Sequence, residues 1–362
     1  MQKSFRIIIA TAYPQILSTL HHRLTLAGCN VAAVITRDSA QGVISYCEEN
    51  QIEILRLPEA NGTISVEEAC RKDSNYSDAV DGIKKRAIAL QPDFIIAWGI
   101  NVLPQAFLNI PRELFLNVHP SDLPSYRGGF PFQAQLLNGE EKIRIVIHET
   151  TEIIDKGRIF KKSNWVEISE NETMSSLVNK CLPEAGNLVV SFFSEYPECV
   201  RATSDFVVDK NAPHAWGKKL KLVNEGENSF YVNSGVLCNI RIEWHKDSVV
   251  NIERAVRAFD MMGGPFTNLG GTTFNIISFR IISRVPEDII PGSVIAVKGD
   301  KIVINCVDGV GEAELRLNSK FSDSDTRVIR PGDLLQSSLL IEQYTGIKDT
   351  DRIIKVKNGI TV

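Results

Sequence analysis

FRIIIATAYPQILSTLHHRLTLAGCNVAAVIT, residues 5–36, decides the fold: an apolar run at 5–10, a helical pattern from Pro14 to Ala27, and a second apolar run at 30–36. Short apolar runs bounded by turn residues read as strands, and strands that alternate with helices read as βαβ units of a parallel sheet. The alternation continues through apolar runs near 52–57, 93–97 and 114–118 and a helical pattern from Asp78 to Leu90. It predicts an α/β domain built on a Rossmann-like, doubly wound, mostly parallel sheet. The first turn, Ala10-Thr11-Ala12-Tyr13-Pro14, lacks the Gly-x-Gly-x-x-Gly phosphate cradle. A nicotinamide dinucleotide site is therefore not expected despite the topology.

Working outward, a helical pattern from Asn171 to Glu195 has Asn171 as its expected N-cap and Leu177, Leu188, Val189 and Phe192 turned inward. The expected divisions are a catalytic domain over 1–205, a linker with a hairpin excursion over 206–250, a small β domain over 251–330 and a tail over 331–362. The helix Ile252 to Asp260, the turn Gly263-Gly264-Pro265-Phe266 and short β-rich runs at 272–283, 292–298, 301–306 and 313–317 predict an OB-like small β-barrel in the third region. Lys218, Lys219 and Lys221 read as a solvated face of the linker.

The chain's 362 residues exceed one ordinary core, and its 43% hydrophobic content can build two. A net charge of -4 gives no bulk attraction to nucleic acid. There is no membrane-spanning run, and Met1 to Arg6 leads directly into the first strand, so a cytoplasmic location is expected. The seven cysteines show no Cys-x-x-Cys spacing, which predicts reduced thiols and no metal.

Chemistry concentrates after the fifth apolar run. Glu113 to Val118 reads as a strand, and Pro120, Leu123-Pro124 and Arg127-Gly128-Gly129 break the chain into an irregular loop. Asn117 and His119 thus fall on one side of a strand's C-terminal edge, where open α/β sheets bind ligands. An amide N–H can stabilise the oxyanion of acyl transfer, and a neutral imidazole can take a proton from an attacking amine. Asp155, in the loop after the strand Ile143 to His148, is placed to orient that ring. His148, at a strand end, reads more readily as a satisfied structural histidine.

Asn117-Val118-His119, then Ser121-Asp122-Leu123-Pro124-Ser125-Tyr126-Arg127-Gly128, then Asp155-Lys156-Gly157, resemble the core motifs of the 10-formyltetrahydrofolate-dependent formyltransferases. The resemblance implies that Asn117 and His119 act on the formyl group and the amine, with Asp155 supporting His119. It also makes Trp98, Gly99, Ile100, Val102, Leu103 and Pro104 a pterin loop, with Ile153 and Ile154 on the folate side. Thr11 and Tyr13 in the first turn, together with Ser121 and Arg127, are the expected acceptor-side residues. Two departures stand out: Thr150-Thr151 ahead of Glu152-Ile153-Ile154-Asp155, and Asp122 where many relatives carry Leu. The Ile252 to Phe259 helix, Gly264-Pro265-Phe266, Pro291-Gly292-Ser293-Val294 and Asp308-Gly309 resemble the C-terminal domains of methionyl-tRNA formyltransferases and amino-sugar N-formyltransferases.

The resemblance implies formyl transfer from 10-formyltetrahydrofolate to a primary amine. Arg37 to Gly42 passes directly to the next helix, where tRNA-specific relatives carry a basic insertion, so a small acceptor such as a nucleotide-linked amino sugar is favoured, with methionyl-tRNA as the alternative. A deformylase would use the same three residues with water as nucleophile, and a binding relative with a spent site would lose folate. Oligomeric state stays open, a homodimer included.

Overall fold

The computed structural model describes residues 4–58, 70–71, 73–100, 103–201, 240–318, 328–336, 356–357 and 360–361. Val102 and the expected hairpin excursion between 206 and 239 lie outside these residues.

Strand β1 (Arg6–Ala10) is followed by α1 (Pro14–Leu26), β2 (Asn30–Arg37), α2 (Gln41–Glu49), β3 (Glu53–Leu57), α3 (Ser74–Ala89), β4 (Phe94–Ala97) and β5 (Leu114–His119). Then come α4 (Pro131–Asn138), β6 (Lys142–Ile143), β7 (Val146–Glu149), β8 (Ile159–Lys162), β9 (Val166–Glu167) and α5 (Met174–Ser194). The main sheet has the order β3-β2-β1-β4-β5-β7-β8. Its first five strands are parallel, whereas β7 runs antiparallel to β5, and β8 to β7. The sheet is therefore mixed, its antiparallel edge lying beside β5.

Alternation along each strand gives the sheet two apolar faces. Ile7, Ile9, Val34, Phe94, Ile96, Leu116 and Val118 pack under α1 and α5; Ile8, Ile35, Leu55, Ile95 and Phe115 pack under Tyr76, Val80 and Ile83 of α3. Burial on both faces is what a parallel sheet flanked by helices requires, and it explains near-continuous apolar strands such as Ile7-Ile8-Ile9. The strand order reverses between β1 and β4, which makes a crevice at their carboxyl ends. Ala12 N donates to Gly99 O across it (3.1 Å).

Helix α5 begins later than expected. Thr173, not Asn171, is its N-cap, closing a capping box in which the Thr173 hydroxyl takes the Ser176 N–H and the Ser176 hydroxyl takes that of Thr173.

In the C-terminal half, α6 (Val249–Ala258) precedes β10 (Phe266–Leu269), β11 (Thr272–Ser283), β12 (Val294–Lys298), β13 (Lys301–Cys306) and β14 (Gly309–Leu317). The ladders run β10-β11-β14-β13-β12, all antiparallel. Among the described residues β10 and β12 are not paired with each other, so the sheet is antiparallel as expected but its closure into a barrel is not seen. Among the described residues one distant segment bridges both margins, Asn268 with Gln336 and Ser293 with Leu334, and Arg241 bridges Phe266 on the β10 edge.

The halves share an apolar cluster that runs from the main sheet through Trp244, Val256 and Phe259 into Phe266, Ile276 and Ile304. Polar bonds pin the junction: Arg257 Nη1 to Glu172 O (2.9 Å), Ser175 N to Asp260 Oδ1 (3.2 Å), and Arg254 Nη1 to Asn138 O (3.4 Å). Among the described residues no helix is long and apolar enough to cross a membrane.

Candidate active site

Strand β5 carries Leu116 and Val118 into one core and Phe115 onto the other face. Asn117 and His119 continue the Phe115 side beyond the apolar core. The antiparallel register sets Asn117 directly opposite His148 on β7, and cross-strand partners of this kind have adjacent side chains. Asn117 Nδ2 accordingly lies 3.1 Å from His148 Nε2 and donates to Asp155 Oδ1 at 3.1 Å. His148 Nδ1 donates to the Glu149 carbonyl (2.8 Å), which turns Nε2 toward Asn117 and Asp155 Oδ1 (3.3 Å).

Asp155 reaches this cluster from the β7–β8 loop with its backbone in the left-handed region, φ 52°. The Gly128 N–H donates to Asp155 Oδ2 (2.7 Å), and Arg127 donates to Ile154 O through Nε (3.0 Å) and Nη2. Gly157 lets the loop cross back over β7, because a β-carbon there would overlap the Glu149 carbonyl. The Asp155 loop is thus stitched to the loop after β5.

His119 is 4% exposed. Its Nε2 lies 2.9 Å from the Tyr126 carbonyl, which can only accept, so Nε2 carries the proton and Nδ1 faces Asp155 Oδ2 at 3.6 Å. Burial lowers the His119 pKa, assisted by His148 and Arg127 and opposed by Asp155 and the Tyr126 carbonyl. Burial alone would raise the Asp155 pKa, but His119, His148 and the Gly128 N–H overcome it and hold the carboxyl well below its ordinary value. The pair is a neutral imidazole beside a buried carboxylate.

Two expectations are refined. Asp155 stands near His119 without a hydrogen bond to it, since the ring is fixed by a backbone carbonyl. The Asn117 amide nitrogen is turned onto Asp155 and His148 in this arrangement, so meeting an oxyanion requires it to re-aim. His148 is the residue that sequence reasoning underweighted; its signal was the strand-end position, legible only once β7 is known to run antiparallel to β5.

The acceptor-side and folate-side residues divide. Ser121 is fully buried and donates to Ser125 O (2.7 Å), and the buried Arg127 holds Ile154 O, so both brace the loop. Thr11 is buried, its hydroxyl accepting from Tyr13 N (3.3 Å). Tyr13 lies exposed over Gly99, where φ is 67° and a β-carbon would come within 2.7 Å of the Tyr13 ring. These two residues meet at the switch point of the sheet. Trp98 is buried in the core, Ile100 and Leu103 pack partly on the α3-side cluster, Ile153 is exposed and Ile154 half-buried. A cleft of about 430 Å³ between α3 and Pro104, Ala106 and Phe107 also takes in Arg71 and Lys84, but none of Asn117, His119 or Asp155 lines it. Asp122 pairs with Lys162 of β8 (2.6 Å).

Comparison with known proteins adds to this geometry. Residues 5–192 match the family model described as formyl transferase, and residues 238–320 that of its C-terminal domain. A methionyl-tRNA formyltransferase of Nitrosomonas europaea is 29% identical over 62% of this chain and 64% of its own length; the chain spans less than two thirds of that relative. Among solved structures, an N-formyltransferase of Helicobacter canadensis, in complex with folinic acid and dTDP-3-aminofucose, is 16% identical with a TM-score of 0.53, covering 87% of this chain and 100% of that one. HypX of Aquifex aeolicus in complex with tetrahydrofolic acid is 16% identical with a TM-score of 0.52, covering 96% of this chain and 48% of that one. At these identities the two structures speak for the fold.

Proposed function

The chain belongs to the formyl transferase family, and from that premise we propose that it transfers the formyl group of 10-formyltetrahydrofolate to a primary amine. The observation that carries this reading is the cluster of half-buried Asn117, buried neutral His119 and the ionised, largely covered carboxylate of Asp155 at the carboxyl end of β5. The folate donor supplies an activated formyl carbon. His119 accepts the proton that the amine sheds as its nitrogen bonds to that carbon, and returns a proton to the departing folate nitrogen. Asn117 re-aims its N–H at the formyl oxygen as negative charge grows there. Asp155 stays anionic and stabilises the imidazolium in between.

For the acceptor, the methionyl-tRNA formyltransferase relative supports methionyl-tRNA more strongly than the amino sugar favoured from the sequence. One observation keeps the nucleotide-linked amino sugar as a second reading: only residues 38–40 separate β2 from α2, leaving no room there for a basic insertion that would hold phosphates.

The purified chain would be mixed with 10-formyltetrahydrofolate and tetrahydrofolate release followed, first alone and then with methionyl-tRNA, nucleotide-linked amino sugars and amino acids. Release that depends on methionyl-tRNA is the expected result. Release only with an amino sugar would select the second reading, equal release without amine would indicate a deformylase, and no release with any acceptor would overturn formyl transfer.

A further inference from the structure

We propose that Tyr126 is a positioning residue for His119, and that the C-terminal half of the chain holds Tyr126 in place through Arg254. The proposal deepens the reading above and rests on it for its effect on turnover, though not for its geometry.

Tyr126 has φ 59°, a conformation that a residue bearing a β-carbon keeps only where its surroundings enforce it. The residue is 5% exposed. Its hydroxyl donates to the Glu140 carboxylate and accepts from Asn138 Nδ2 (2.9 Å). Burial and Glu140 push the phenol pKa up, so it remains a donor. Held in this way, the Tyr126 carbonyl points at His119 Nε2 (2.9 Å).

Asn138 and Glu140 flank Gly139, the left-handed cap of α4 (φ 69°). Arg254 of α6 closes over that turn: its Nη1 donates to Asn138 O (3.4 Å), and its guanidinium occupies the space a β-carbon on Gly139 would need. A chain of contacts therefore runs from α6 through Arg254, the α4 cap and the Tyr126 hydroxyl to the Tyr126 carbonyl and the imidazole.

The carbonyl fixes which nitrogen of His119 is protonated. With Nε2–H committed to Tyr126, Nδ1 is the basic nitrogen, and a proton taken there faces Asp155 Oδ2. The imidazolium then has an acceptor at each nitrogen. Of the groups facing the ring, the Tyr126 carbonyl and Asp155 favour the protonated form, while His148 and Arg127 oppose it. Freeing Tyr126 removes one of the two favourable partners. The tautomers should then mix, and the protonation midpoint should fall.

The test uses the full chain labelled with 15N-histidine, without folate or amine. Two-bond proton–nitrogen spectra are recorded across pH, with the His119 signal assigned from His119→Gln. The parent should show the Nε2–H tautomer. Tyr126→Phe and Arg254→Ala should each give mixed tautomers and a midpoint lower by about half to one pH unit, a three- to tenfold change in the protonation constant. Should Tyr126→Phe fail to fold by circular dichroism, Asn138→Ala replaces it with the same readout. Parent-like tautomer and midpoint in the folded variants would overturn the proposal, and a shift in Tyr126→Phe alone would overturn the part assigned to the C-terminal half. Because no substrate is present, failure of formyl transfer and failure of this positioning register in separate experiments.

Discussion

Buried polar groups occur around His119 and again inside the C-terminal sheet, and the two sets are satisfied differently. Asn305, fully buried on β13, donates to Glu287 O and Ile289 O (3.2 and 2.7 Å) and accepts from Glu287 N (2.8 Å). Trp244 Nε1 donates to Thr267 Oγ1 (2.9 Å), which passes its own proton to Gln336 O (3.1 Å). These are neutral groups with one permanent partner set, and they hold a loop or a turn to the sheet. At the site, Asp155 is shared among Asn117, His119, His148 and the Gly128 N–H, and His119 Nδ1 faces the carboxylate without a hydrogen bond until it takes a proton. A buried network that is complete in one state specifies shape; one that changes partners with a proton can do chemistry.

The largest effect that would break this distinction lies at Asp155. Asn is the substitution to use, since it fits the cavity and is among the few residues at ease in the left-handed region that Asp155 occupies. Asp155→Asn should lower turnover by about two to four orders of magnitude while the melting temperature stays within a few degrees; parent-like turnover would place Asp155 with the shape-holding groups. Next in size, Asn305→Ala strands the Glu287 and Ile289 carbonyls and should cost about 2–3 kcal/mol in urea unfolding, with turnover per folded molecule unchanged. A fall in turnover that outruns the unfolding would show that the two regions are not separable.

The smallest effect sits between them, at Glu172. Burial alone would raise its pKa, but hydrogen bonds from Ser176, Lys180 and Ser169 outweigh it and hold the carboxyl at about 2. A folded-state pKa below the unfolded value of about 4.3 means the contribution is present above pH 4.3 and is lost as pH falls toward 2. Glu172→Gln should therefore be less stable at pH 7, by on the order of 1 kcal/mol because Lys180 is partly exposed, and the two proteins should converge near pH 2. A constant difference across that range would make Glu172 a neutral brace like Asn305.

Much of the site was legible because its residues fall at the end of one strand and in one loop. Asn117 and His119 share a strand face by simple alternation, and Asp155 sits in a Gly-containing turn downstream. His148 escaped because periodicity reports that a strand exists, not its direction; only the antiparallel pairing with β5 makes it Asn117's neighbour. Ser121 and Arg127 were read as acceptor contacts; in the fold Ser121 donates within its own loop to Ser125 O and Arg127 to Ile154 O of the β7–β8 loop, partners set by tertiary geometry. The helix start moved from Asn171 to Thr173 because both are competent caps and only Thr173 finds Ser176 three residues on. Whether the C-terminal sheet closes was not legible, since strand lengths and turns do not reveal whether the outer strands meet; among the described residues they do not pair.

That last feature has a consequence for where the molecule can be cut. Gly332 to Gln336 bonds to Val294 and Gly292 on one margin of the C-terminal sheet and to Asn268 on the other. The family match ends at residue 320, ahead of this segment. A fragment trimmed to that boundary would lose the buried Leu335 and the acceptor of Thr267 and would uncover the β12 margin and the Asn268 end of β10 at once, so self-association is a hazard of truncating this chain alongside lost stability.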